Sequence, residues 1–186
     1  SAIPASARSC STPSRRAVRS VSRTEVLWDA VFHFCCEEER SNDGWRWKTD
    51  ISMRRLTDSQ LAIIGFGRIG TAVTRRARAF GMNVIPYDPY VPDGYEKSIG
   101  VERVNNINDA ISEADIVSFH TPLNNETKGM ADSSFFDVMK DDAVLVNTAR
   151  GEIVDLGALY DALKDGTIRA AGLDVLGQEP SDPDHP

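Results

Sequence analysis

Leu61-Ala62-Ile63-Ile64-Gly65-Phe66-Gly67-Arg68-Ile69-Gly70 is the stretch on which the reading of this chain turns. Four apolar residues run straight into Gly-x-Gly-x-x-Gly, and apolar residues at helical spacing follow from Ile69 to Phe80 before Gly81. A short, uninterrupted apolar run predicts a strand buried on both faces. Glycines cluster by chance in loops, so the bare glycine pattern is weak; between a strand and a helix it becomes informative. Gly65 then permits a tight turn, Gly67 lets a pyrophosphate approach the backbone, and Gly70 lets helix and strand pack closely. The N–H groups of Arg68 and Ile69 are expected to face phosphate oxygens at the positive end of the helix dipole.

The same alternation continues outward. Strands are predicted at Leu61–Gly65, Asn83–Asp88, Val101–Val104, Asp115–His120, Ala143–Asn147 and Ala170–Val175. Helices are predicted between them at Ile69–Phe80, Asn108–Ala114, Ser133–Met139 and Leu156–Lys164, with Gly81 and Asp165-Gly166 as stops. Strands alternating with helices define an α/β chain: a Rossmann-type, doubly wound parallel sheet with helices on both faces.

Asp88 closes the second strand about twenty residues past the glycines, where a dinucleotide site places an acid. Its carboxylate would accept hydrogen bonds from ribose hydroxyls and repel a 2′-phosphate. Pro89 and Tyr90 follow it, with no arginine close in sequence, so NAD is expected rather than NADP. The plainer reading is that Asp88-Pro89 is only a turn.

Ligands of open α/β sheets sit beyond the carboxyl ends of the strands. There Val144-Leu145-Val146-Asn147-Thr148-Ala149-Arg150-Gly151 puts Arg150, whose planar, permanently charged fork suits a carboxylate. A surface salt bridge explains Arg150 equally well. Asp174 ends the next strand, where it could hydrogen-bond a carboxamide. Glu179, in the loop after it, could orient a histidine and stabilise its protonated form.

Composition excludes several alternatives. The formal charge is −7, although residues 1–23 hold five arginines and no acid. The acidic body argues against a nucleic-acid groove, and no apolar run approaches the roughly 20 residues that span a bilayer. Three cysteines, two of them adjacent at Cys35-Cys36, make neither a disulfide framework nor a metal site, and point to a reducing, cytoplasmic setting. The Ser/Arg-rich segment 1–23 reads as disordered. Its composition matches an organelle transit peptide, but a displaced gene end fits better with the missing initiator Met. Residues 24–54 read as a helix over 24–40 and a linker with Trp45 and Trp47, and 55–186 as the dinucleotide domain.

Taken in order, Gly65–Gly70, Tyr87-Asp88-Pro89, His120-Thr121-Pro122-Leu123 with Thr127-Lys128-Gly129, Asn147–Gly151 with Val154-Asp155, and Gly172–Val175 with Glu179-Pro180 resemble the NAD-binding domain of D-isomer-specific 2-hydroxyacid dehydrogenases. The resemblance is nearest to the branch of C-terminal binding protein-like and phosphoglycerate dehydrogenase-like members. It implies hydride transfer between NAD and a 2-hydroxy or 2-keto acid. Arg150 would bind the substrate carboxylate and keto oxygen, Glu179 would be the acid of a His–Glu pair, and Asp174 would hold the nicotinamide carboxamide. Thr148 and Ala149 would lie near the nicotinamide, and Thr121 and Thr127 would flank the cofactor cleft.

The resemblance also implies a catalytic histidine beyond Glu179 and a second, substrate-closing domain before residue 55. Neither His33, His120 nor His185 matches that histidine, so the chain as given is expected to bind NAD but to turn over poorly. The full-length protein is expected to be a homodimer. The rival is an NAD-sensing corepressor-like binding protein, which shares the arginine and the glutamate. A short-chain reductase is set aside, because no Tyr-x-x-x-Lys follows the fourth strand.

Overall fold

The computed structural model describes residues 55–177; the expected helix over 24–40, Trp45, Trp47, Glu179 and His185 lie outside them. Five parallel strands form one sheet: β1 (Gln60–Ile64), β2 (Asn83–Tyr87), β3 (Ile116–Phe119), β4 (Val144–Asn147) and β5 (Ala170–Leu173), in the order β2-β1-β3-β4-β5. Four α-helices connect them: α1 (Arg68–Ala79), α2 (Ile107–Ile111), α3 (Ser133–Val138) and α4 (Leu156–Asp165). The chain leaves β1 for one edge, returns, and continues from β3 toward the other edge. The switch of direction therefore falls between β1 and β3, where their C-terminal ends part.

Alternation along the strands divides the core. Leu61 and Ile63 pack on α1 through Val73 and Ala77, with Phe66, Met82, Val84 and Ile99. Ala62 and Ile64 face the other way, toward Ala110 and Ile111 of α2, Phe135 and Phe136 of α3, and Leu159 and Ala162 of α4. One helix on one face and three on the other is the doubly wound arrangement expected. Among the described residues, no helix is long and apolar enough to cross a membrane.

Local sequence explains most helix ends. Asn106 caps α2 by accepting from Asn108 N at 3.0 Å. Asp132 caps α3 by accepting from Phe135 N at 3.0 Å. Asp155 caps α4 by accepting from Gly157 N at 2.9 Å and Ala158 N at 3.1 Å. These side chains satisfy N–H groups that a helix start leaves without partners.

One predicted strand is corrected. Residues 101–104 form no strand; a short 3₁₀ turn, Glu96–Ile99, leads to a single parallel bridge between Val104 and Tyr87. Val104 N donates to Pro86 O at 3.2 Å. Within a strand the N–H and C=O of one residue point the same way, so Pro86 turns toward this edge a carbonyl but no donor. The ladder cannot extend, and the neighbouring Arg103 side chain turns away to carbonyl oxygens of the loop after β2.

Phe136 is 1 % exposed, under the β1–β3–β4 face. Phe136→Ala is expected to lower unfolding free energy by about 3–5 kcal/mol. Urea titration checks this as a lower midpoint at unchanged slope.

Candidate functional site

Three backbone segments meet at the switch point. Gly65 has φ +98°, and a Cβ on it would lie 2.7 Å from His120 C and 2.8 Å from Thr121 N. A Cβ on Gly70 would lie 2.1 Å from Gly65 O. The end of β1, the start of α1 and the loop after β3 can thus touch only because both positions are glycine. Around Gly67, by contrast, nothing lies within 4 Å of an added Cβ. That gap is a cradle a methyl group would fill.

Helix α1 begins at this gap. Its ladder opens with Thr71 N donating to Gly67 O at 2.9 Å, and no side chain caps it. The first N–H groups of a helix have no acceptor within the helix. Those of Arg68 and Ile69 therefore border open space, as an anion-binding helix start requires.

Two cavities flank the gap. One, of about 310 Å³, is lined by Gly65, Gly67, Asp88, Tyr90 and Thr127 among others. The second, of about 160 Å³, is lined by Ile69, Thr148, Ala149 and Arg150. His120, Thr121 and Pro122 line both, so the cavities are two ends of one cleft. Cleft-lining Thr121 and Thr148 each carry a buried hydroxyl without a hydrogen-bond partner among the described residues. Buried polar groups ordinarily find partners. An open phosphate cradle between two cavities, with unsatisfied hydroxyls on both sides, fits a dinucleotide.

Asp88 lies in the larger cavity, and its carboxylate does two local jobs. Oδ2 accepts from Phe66 N at 2.8 Å and Oδ1 accepts from Tyr90 N at 2.9 Å. Asp88 therefore does build a turn, and the turn locks the acid to the glycine loop. A carboxylate has about four acceptor positions, so two remain for ribose hydroxyls. The sequence shows no arginine close to Asp88, but the fold brings Arg103 there. Its guanidinium donates to Asp88 O at 3.2 Å and to Val91 O, and pairs with Asp93 at 2.5 Å. Through those three acceptors Arg103 braces the loop that carries Asp88.

Thr127 lines the cleft, but its hydroxyl works within its own loop, donating to Pro122 O at 2.7 Å and accepting from Asn124 N at 2.9 Å. Asn124 Oδ1 in turn accepts from Glu126 N and Thr127 N, both at 2.9 Å. His120 stands at the seam of the two cavities, with Nε2 at 3.0 Å from Ser118 Oγ. Burial lowers its pKa to about 4. The ring is thus neutral near pH 7.

Arg150 is exposed beside the smaller cavity, one Nη donating to Ala149 O at 2.6 Å. Among the described residues no carboxylate pairs with it, so a surface salt bridge gains no support. Two neighbours that motif reading left without a role shape its loop. Fully buried Asn147 donates from Nδ2 to Arg150 O at 2.8 Å and accepts at Oδ1 from Ala149 N at 3.0 Å. Gly151 admits the chain after β5, for a Cβ there would lie 2.0 Å from Leu176 C. An amide ending an apolar strand was the available signal for Asn147. Asp174 is exposed at the end of β5, its N–H donating to Asn147 O at 3.0 Å, and it lines neither cavity. Glu179 lies outside the described residues.

The sheet order, the glycine turn and the two-part cleft define a dinucleotide-binding α/β domain. Residues 26–186 match the family described as D-isomer specific 2-hydroxyacid dehydrogenase, NAD binding domain. The chain belongs to that family, and this region is its NAD-binding domain. Over 125 residues it is 49% identical to a D-3-phosphoglycerate dehydrogenase of Methanocaldococcus jannaschii, covering 67% of this chain and 24% of the relative. Over 126 residues it is 50% identical to a glyoxylate reductase of Korarchaeum cryptofilum, covering 68% of this chain and 38% of the relative. The structure superposes with a TM-score of 0.77 and 32% identity on an Aquifex aeolicus D-lactate dehydrogenase complexed with NAD and lactic acid, covering 88% of this chain and 50% of that one. The chain therefore spans at most half the length of these relatives.

Two measurements test the site. Gly67→Ala is expected to leave unfolding free energy within about 0.5 kcal/mol and to weaken NAD about tenfold or more, since roughly 1.4 kcal/mol suffices; Gly70→Ala is expected to cost about 1–3 kcal/mol of stability by overpacking. Paired melts and NAD titrations separate the two. Because the His120 pKa falls from 6.5 to about 4 on folding, the unfolded chain binds more protons in that window. Stability is then full above pH 6.5 and declines as pH falls toward 4. His120→Gln is expected to flatten this part of the pH–stability curve measured by urea unfolding.

Proposed function

We propose that the whole protein is an NAD-dependent dehydrogenase of a D-2-hydroxy acid, in which this chain holds the dinucleotide and grips the acid's carboxylate. The observation that carries the reading is the cleft's polarity. Its larger end presents Asp88, and its smaller end presents Arg150 beside the unsatisfied hydroxyl of Thr148. In this reading the N–H groups of Arg68 and Ile69 hold the pyrophosphate over Gly67. Asp88 accepts from the adenosine ribose, and Thr121 closes the seam. Thr148 and Ala149 line the nicotinamide end.

A dinucleotide held there would supply a nicotinamide C4 for hydride exchange with C2 of the substrate. The chain's own groups orient and polarise. The guanidinium of Arg150 is a planar cationic fork, so it can bind a carboxylate and draw electron density from the adjacent C2 oxygen. Asn147 holds that arginine's backbone. Asp174 is assigned to the carboxamide and Glu179 to a histidine partner on the family resemblance. Cytoplasmic location and a homodimer are retained from the sequence reading. The relatives above carry names of dehydrogenases and a reductase, which favours the catalytic reading over an NAD-sensing corepressor.

NAD titrated into this chain by calorimetry is expected to bind saturably at one site per chain; a folded sample without saturation rejects the reading. In the full-length protein, Arg150→Gln is expected to lower kcat/KM for glyoxylate or hydroxypyruvate by about 100-fold or more, on the scale of a lost charged contact of roughly 3 kcal/mol. NAD affinity should be retained. Unchanged kcat/KM removes Arg150 from the mechanism.

A further inference from the structure

The mouth of the larger cavity carries a second acid that motif reading did not single out. Tyr90, from the loop after β2, donates its phenol hydrogen to Glu126 Oε2, from the loop after β3. Both residues line the cavity that holds Asp88. The hydrogen bond therefore joins opposite walls of the cleft, with Asp88 two residues from one end of it.

Each partner is fixed by its own loop. The Asx turn of Asn124 fixes the backbone at Glu126, and Thr127 staples that turn to Pro122. Asp88 fixes Tyr90 by accepting from its backbone N–H. Glu126 raises the pKa of the Tyr90 phenol, chiefly by accepting that hydrogen bond. The phenol accordingly stays a donor at neutral pH, and the hydrogen bond biases the exposed Glu126 carboxylate toward the cavity mouth. Because Tyr90 is 71% exposed, charge at this mouth is open to screening by salt.

We propose that Glu126, held across the cavity mouth by Tyr90, is a second determinant of selectivity for NAD over NADP, acting beside Asp88. The proposal rests on the dinucleotide reading of the cleft given above. A 2′-phosphate carries about −1.5 to −2 charge at neutral pH. Brought between Asp88 and Glu126, it meets like charge from both walls. The 2′-hydroxyl of NAD meets acceptors instead. Arg103, on the Asp88 loop, spends three of its five N–H donors on Asp88 O, Val91 O and Asp93, and the Asp93 carboxylate offsets its charge.

The test measures dissociation constants for NAD and NADP on this chain, with Glu126→Gln and Tyr90→Phe beside the unaltered sequence. Gln keeps a hydrogen-bond acceptor for Tyr90 and removes only the charge. Glu126→Gln is expected to raise NADP affinity relative to NAD about three- to tenfold, the scale of one partly screened charge contact. Tyr90→Phe, which frees the carboxylate, should shift the ratio the same way by less. The ratio should also depend less on salt in Glu126→Gln than in the unaltered chain, which a purely structural role would not produce. An unchanged ratio, or parallel weakening of both cofactors, overturns the role of Glu126. An unchanged ratio in Tyr90→Phe overturns the pinning. No saturable NAD binding by the unaltered chain overturns the dinucleotide reading and this proposal together. Saturable NAD binding with an unmoved ratio overturns this proposal alone.

Discussion

Where the sheet reverses direction, three stretches of backbone come closer than side chains would allow. A Cβ at Gly65 would press on His120 and Thr121, and one at Gly70 would overlap Gly65 O. This close approach sets the angle at which α1 leaves β1. It also brings the β3 loop over the helix start and leaves the gap at Gly67 between them. Both cavities open from that junction, so everything proposed for the cleft depends on two absent methyl groups.

From this junction the cleft is polar in a graded way. Asp88 and Glu126 occupy one end, a neutral His120 the seam, and Arg150 the other end. The helix start contributes N–H groups near the middle, where a diphosphate needs them. Such a gradient suits a ligand with hydroxyls at one end, negative charge in the middle and a carboxylate beyond the other end. The rest of the domain supports this placement mechanically. Three helices buttress the face under Ile64 and Phe119, while α1 packs on the face it shares with Phe66.

The loops at the carboxyl edge are stiffened by side chains that would otherwise count as site residues. Asp88 ties the glycine loop to its own turn, Asn147 ties the Arg150 loop at both of its polar atoms, and Asn124 with Thr127 ties the β3 loop. Preorganisation of this kind reduces the ordering needed when a ligand arrives. It also explains why Thr127 lines the cleft without a free hydroxyl, whereas Thr121 and Thr148 keep theirs.

By itself the sequence determined the strands and helices around the glycine turn, the helix stops, the acid at the end of β2 and the arginine beyond β4. These are carried by local period, by glycines with steric reasons and by residues at strand ends, so a linear reading reaches them. It overreached at 101–104, where β-branched residues suggested a strand but Pro86, on the partner, supplies no donor. Only the tertiary structure decided which distant groups share a space. It set Arg103 against the Asp88 loop, joined Tyr90 to Glu126 across the cleft mouth, and left the hydroxyls of Thr121 and Thr148 without partners among the described residues. The physical reason is that hydrogen-bond satisfaction and charge proximity belong to pairs far apart in the chain, and the close backbone contact at Gly65 and Gly70 is what brings those pairs together.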